Sequence, residues 1–247
     1  MKLKALLALA LIFAATTMTP GAQPEDAAQK ALSDARAFAR AGDYAKALER
    51  HEWFHKNALA IRPSYYGVRL SFALGDWKRL GEKYPPAMAS LKATRDAGLA
   101  ALDAGTAPAE VFHDVASINR ELGEAESTIV LFKKLHTQRP ELAKKCFRAV
   151  QETLLERGET DLFVHYVGDL PAYMQAQLER HRSVAAMIKS RSDPSSVRSL
   201  KRFEDQMVET ALKLIQIATE RKDSTAAGKI RTMTSAEIND ARLNAAP

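Results

Sequence analysis

Apolar residues recur at spacings of three and four along almost the whole chain, and Gly or Pro interrupts that rhythm every 12 to 20 residues. Alternating runs of Val, Ile and Thr are missing. A 3.6-residue apolar period gives each segment one face to bury, so the pattern predicts an all-α protein. The predicted helices run Ala27 to Ala41, Tyr44 to Ile61, Pro85 to Leu102, Pro108 to Leu122, Ala125 to Gln138, Lys144 to Arg157 and Thr160 to Gly168. Three longer ones follow, Ala172 to Lys189, Ser195 to Lys222 and Thr225 to Leu243, with Asp193-Pro194 as a cap and first-turn pair. How residues 63 to 86 divide into helices is open at this level.

Such regular punctuation calls for a search for internal repeats. The clearest unit spans residues 109 to 140: two amphipathic segments turn at Gly123 and close at Pro140, with Phe132 and Leu135 on the inward face of the second. A second signal, Trp77-Lys-Arg-Leu80-Gly81-Glu-Lys-Tyr84, puts Trp77, Leu80 and Tyr84 on one helical face, with Gly81 placed to let a partner helix approach closely. That octapeptide matches the W-x2-L-G-x2-Y first-helix pattern of the tetratricopeptide family. The unit at 109 to 140 resembles the same family, with Asn119 where it prefers Tyr and Thr128 where it prefers Ala. The turn Gly42-Asp43-Tyr44 with Ala47 resembles it again, so the resemblance covers roughly residues 27 to 170.

The resemblance implies an α-α superhelix of TPR-like hairpins whose first helices line a concave, partner-binding groove. The groove positions it implies are Glu110, His113, Ser117, Arg120 and Glu121, then Lys145, Arg148, Glu152 and Glu156. Arg120 and Arg148 stand out because a guanidinium suits carboxylate recognition. Beyond Pro171 the repeat fades. There Val197, Leu200, Phe203, Met207, Ala211, Leu214 and Ala218 form a stripe that is expected to cover the open end of the stack. The expected organisation is a signal peptide at 1–22, TPR-like helical repeats at 23–170 and a C-terminal helical capping region at 171–247.

The signal-peptide expectation rests on Lys2 and Lys4 followed by an apolar run, Ala5 to Ala15, which is half the roughly twenty residues a bilayer span requires. It implies a periplasmic or secreted protein with no stable membrane span after cleavage. The one cysteine, Cys146, rules out an intramolecular disulfide, so stability comes from packing. Charge divides unevenly. Residues 23 to 170 carry 21 Lys plus Arg and 21 Asp plus Glu, whereas residues 171 to 247 carry 13 and 9, a net +4. A nucleic-acid site would need a denser basic stripe with stacking aromatics, so no nucleic-acid partner is expected.

One motif points elsewhere. His51-Glu-Trp-Phe-His55 fits H-E-x-x-H, in which two His one helical turn apart bind zinc and the Glu acts as base on the metal-bound water. A third ligand has no recognisable place after His55. The repeat alignment gives a competing account: Ala47, His51, Phe54, Ala58 and Ile61 form an inward stripe, and His51 is a packing ring. Other candidates are thinner. His113 with Asp114 and His165 with Tyr166 are sequence neighbours pointing about 100° apart. Ser117 near His113 lacks a nucleophile turn, and Cys146 reads either as a thiol activated by Lys144 and Lys145 or as a small buried hydrophobe. A small-ligand pocket lined by Trp77, Tyr65, Tyr66 and Tyr84 is a third reading. The expectation is a non-catalytic protein- or peptide-binding scaffold without a cofactor, the alternative being a zinc-dependent hydrolase using His51, Glu52 and His55.

Overall fold

A computed structural model of the chain describes residues 26–190 and 194–245, and among them every regular element is helical. The expected signal peptide and Asp193 lie outside the described residues. Two compact units are present, one ending at Arg69 and the other beginning at Leu70.

In the first unit α1 (Ala27–Ala41) starts at Asp26, whose carboxylate accepts the Gln29 N–H at 2.8 Å, and stops at Gly42, where φ is 81°. A side chain there would clash with its own backbone, so glycine is what lets the chain reverse in two residues. Helix α2 (Tyr44–Ile61) packs against α1. The buried stripe Ala28, Ala31, Leu32 and Ala35 of α1 answers Ala47, His51, Phe54 and Ala58 of α2. A 3-10 turn (Pro63–Tyr65) and a single helical turn, α3 (Tyr66–Arg69), close the unit. The Tyr65 hydroxyl donates to Asp26 at 2.8 Å and Arg62 pairs with it at 2.8 Å, tying the end of α2 back to the start of α1. The backbone N–H of Gln29, helped by Tyr65 and Arg62, holds the Asp26 carboxyl below the usual range.

The second unit runs through α4 (Phe72–Lys83), α5 (Pro85–Asp103), α6 (Ala109–Leu122), α7 (Ala125–Gln138), α8 (Pro140–Glu156) and α9 (Thr160–Val167). It continues through α10 (Leu170–Lys189), α11 (Pro194–Glu220), α12 (Ser224–Glu237) and α13 (Ala241–Ala245). From α4 to α9 each helix packs on the next, and α6 also packs on both α4 and α8. Gly81 is the reason α4 and α5 lie so close: a Cβ there would sit 2.9 Å from the Met88 backbone nitrogen. One continuous core links α5 to α13, from Leu102 and Phe112 through Phe132, Val150, Phe163 and Met174 to Leu214, Ile230 and Leu243.

Five features depart from the expected pattern. Helix α8 opens at Pro140, four residues before the expected Lys144, because proline suits a first helical turn. Ile61, expected on the inward stripe of α2, stands 41% exposed at the end of that helix. Tyr84 does not share a helical face with Trp77 and Leu80, because it caps α4 in extended conformation, as a residue before proline prefers. The last predicted helix is two, since Ile238 breaks out at the end of α12 and α13 begins after Asp240. On α11 the apolar stripe buries from Met207 onward, but Val197 is 71% exposed. Among the described residues, no helix is long and apolar enough to cross a membrane.

Candidate functional site

Within α2 the HEWFH residues divide by helical phase. His51 is 2% exposed and lies on the stripe with Phe54, whereas Glu52 faces outward. His55 is held by Arg69, which donates through Nε to its backbone carbonyl at 2.6 Å and sets Nη2 at 3.1 Å from its ring Nε2. A guanidinium has only donors, so the Nε2 lone pair that would bind a metal accepts from Arg69 instead. The buried positive charge of Arg69 beside that ring also opposes a divalent cation. Among the described residues no group of three or more His, Cys, Asp or Glu is placed to hold a metal ion. His51→Phe is expected to fold with a loss of no more than about 1–3 kcal/mol, the range for placing a somewhat larger side chain in a packed core, and elemental analysis of the purified protein is expected to find zinc far below one per chain. Near-stoichiometric zinc that disappears in the variant would restore the hydrolase reading.

The residues expected to line a groove meet different fates. Ser117 is buried and therefore presents nothing to a partner, because α6 packs on both α4 and α8 and leaves little of its circumference open. Arg120 reaches back to donate Nη2 to the Leu70 carbonyl at 2.8 Å, across 50 residues of sequence, and so secures the entry to α4. Glu121 lies half-buried beside Gly75. Glu110, Lys145, Arg148, Glu152 and Glu156 are exposed, with Glu152 accepting from Gln206 of α11 at 3.2 Å. His113 is half-buried, and burial lowers its pKa against the opposing pull of Glu110 and Asp114, with Arg148 lowering it further. Glu110 and His113 of α6 are thereby brought together with Arg148 of α8.

Arg148 also opens onto a concavity of about 530 Å³ between α8, α9 and α10. Three aromatic rings line it: Phe147 and Tyr166 stack at 5.1 Å and 18°, and Tyr173 is backed edge-on by the buried Phe163 at 5.3 Å. Burial pushes the Tyr173 phenol up to about 12, so it stays protonated, a hydrogen-bond donor beside Arg180. Gln151, Asp169 and Arg180 complete the polar rim. Asp169 is committed to capping α10, accepting the Ala172 N–H at 2.7 Å. Most other arginines of this unit hold a carboxylate or a carbonyl, as Arg79, Arg95, Arg139, Arg182, Arg221 and Arg242 do. Among the described residues Arg148 and Arg180 pair with no carboxylate, as is also true of Arg157, and Arg180 donates Nε to the Ala176 carbonyl of its own helix at 3.4 Å.

Sequence reasoning found Arg148 but missed Arg180 and Tyr173, and singled out Tyr166 only as a neighbour of His165. Gln151 was missed as well, although it shares the face of Arg148 at i+3; the expected end-capping role of residues 171–247 hid the contribution of α10. The remaining candidates are structural. Cys146 is buried and its thiol is pushed up to about 12 by desolvation, so Lys144 and Lys145 do not activate it. Tyr166 meets His136 at 2.8 Å through its hydroxyl, with the edge of the His165 ring against its face. Trp77 belongs to the core of the second unit, while Tyr65 is occupied with Asp26 and packs edge-on against Phe54 in the first. Comparison with protein-family models, curated proteins and solved structures returned no match.

Proposed function

We propose that the chain is a non-catalytic, exported binding scaffold, a stack of TPR-like hairpins with C-terminal capping helices, that holds a protein or peptide partner. The stacking is supported by α6, a first helix, packing on the first helices before and after it, α4 and α8, as well as on its own partner α7. The observation that carries the binding role is the α8–α10 concavity, where two guanidinium groups without a carboxylate partner stand among three aromatic rings. Such a surface offers an acidic segment charge-assisted hydrogen bonds and offers its apolar neighbours a stacking platform.

Selection from a displayed peptide library on the purified protein tests this. Enriched peptides are expected to carry Asp or Glu beside an apolar or aromatic residue, and Arg148→Glu with Arg180→Glu is expected to weaken them at least about tenfold, in line with the strength of hydrogen bonds to charged groups. No enriched sequence, or affinity unchanged in the double variant, would overturn the reading.

A further inference from the structure

The core of the second unit takes Leu170, Met174 and Leu178 from α10 and resumes on α11 only at Met207. His181, the next buried residue of α10, lies beyond that core and is 5% exposed. Its ring stacks on Phe203 of α11 at 5.0 Å and 18°, and among the described residues its buried Nε2 has no hydrogen-bond partner. One turn earlier, Gln177 also buries its side-chain nitrogen without a partner. Buried polar atoms left unpaired weaken a contact, so α10 is held less firmly here than along Met174 and Leu178. Around the ring, Arg182 pairs with Glu237 of α12 at 2.7 Å, half-exposed and therefore worth little, and Ala185 buries only a methyl group.

A proton on His181 changes this contact. Neutral, the ring lies flat on Phe203 and leaves one nitrogen unpaired. Charged, it is an imidazolium in a buried place with no acceptor for its Nε2–H. Burial holds its pKa below the ordinary 6.5, against the opposing pull of Glu204 on α11 and Glu237 on α12, with Lys189 of its own helix lowering it further. Among the described residues these are the charged groups that bear on the ring; α9, which also meets α10, contributes none, and Glu237 is engaged by Arg182. The folded ring binds its proton less readily than an unfolded one, so the contact is fully stable above about pH 6.5 and weakens as pH falls through the lower folded value.

Arg180, one of the two guanidinium groups of the α8–α10 concavity, immediately precedes His181. We propose that the His181–Phe203 contact is an acid-sensitive latch: on protonation His181 leaves Phe203, α10 loosens from α11 and α12 over residues 180–189, and the concavity loses the fixed position of Arg180. The effect on binding rests on the peptide-binding reading of that concavity, whereas the loosening of α10 stands without it.

Hydrogen–deuterium exchange of the full chain tests the latch with no ligand present. Between about pH 7.5 and about pH 5, where Asp and Glu side chains stay mostly ionised, residues 181–189 are expected to lose protection at least about threefold relative to residues 143–154 of α8, after correction for intrinsic rates. His181→Phe, which keeps a ring on Phe203, and His181→Gln, which keeps a polar side chain, should each hold the same protection at both pH values. Histidine ring resonances of the wild-type protein, followed against pH, should show His181 titrating together with the loss. Affinity for an acidic peptide selected on the concavity should fall at least about threefold at the lower pH in the wild type and not in the variants. His113 is common to all three proteins, so its own titration drops out of that comparison. Protection that does not change with pH, a loss that persists in both variants, or a His181 ring that titrates at or above 6.5 would overturn the latch. Exchange as expected with an affinity indifferent to pH would overturn its control of the concavity, and no peptide binding at either pH would overturn the peptide-binding reading while the latch stands.

Discussion

Phe132→Ala is expected to destabilise the second unit by about 3–5 kcal/mol, the range for truncating a fully buried phenylalanine. The ring has no solvent exposure and sits where four elements meet: Phe112 of α6 at 6.0 Å, Phe147 of α8 at 6.4 Å and Tyr166 of α9 at 5.2 Å. Removing it leaves a cavity walled by rings anchored on separate helices, which cannot all move inward together, so little of the lost contact is recovered. Set against a typical stability of roughly 5–15 kcal/mol, this is a large fraction of the total. Denaturant unfolding reads the change as a shift in midpoint. Val130→Ala, two residues earlier on the same helix and 61% exposed, is expected to stay within about 0.5 kcal/mol and serves as the control. A loss under about 1 kcal/mol for Phe132→Ala would mean that the aromatic junction is not the keystone of α6 to α9.

The second large effect concerns Asn119 and Thr128. Asn119 and Thr128 are both buried, and the Asn119 side-chain amide donates to the Thr128 hydroxyl at 3.1 Å. The Asn119 carbonyl oxygen accepts from Arg95 at 3.3 Å, and Arg95 in turn pairs with Glu124 and Asp96. The result is a polar link joining α5, α6 and α7. Thr128→Val alone should cost about 1–3 kcal/mol, because it leaves a buried amide donor unsatisfied, and Asn119→Leu alone should cost a similar amount. The double variant Asn119→Leu/Thr128→Val should cost less than the sum, since removing both partners removes the unmet demand. Strict additivity in the double-mutant cycle would show that the two side chains do not depend on each other.

These cases also show what a sequence can and cannot disclose here. Helix ends were legible where glycine fixes them, since Gly42 and Gly123 sit at positive φ, and Pro85 opens α5 as expected, whereas Pro63 and Pro140 were read as closing a unit and in fact open a 3-10 turn and α8. The packing role of His51 was legible too, because a 3.6-residue stripe determines which residues turn inward. Asn119 and Thr128 were visible only as two separate departures, since their bond spans a turn and depends on how α6 meets α7. Arg120 looked like a groove residue because its partner, a backbone carbonyl 50 residues earlier, leaves no trace in residue type. Arg180 went unnoticed for a related reason: apart from Ala172 and Tyr173 on its own helix, its neighbours in the concavity come from α8 and the turn after α9, which no spacing rule on α10 points to.

A photo-crosslinking residue at Gln151, inside the α8–α10 concavity, introduced into the protein in its native host, tests the central claim most directly. The account predicts a discrete protein adduct from position 151, none from the same residue at Val130, and loss of the adduct when Arg148 and Arg180 are changed to Glu. No adduct at 151, or one that forms equally at 130 and survives the charge reversals, would contradict it.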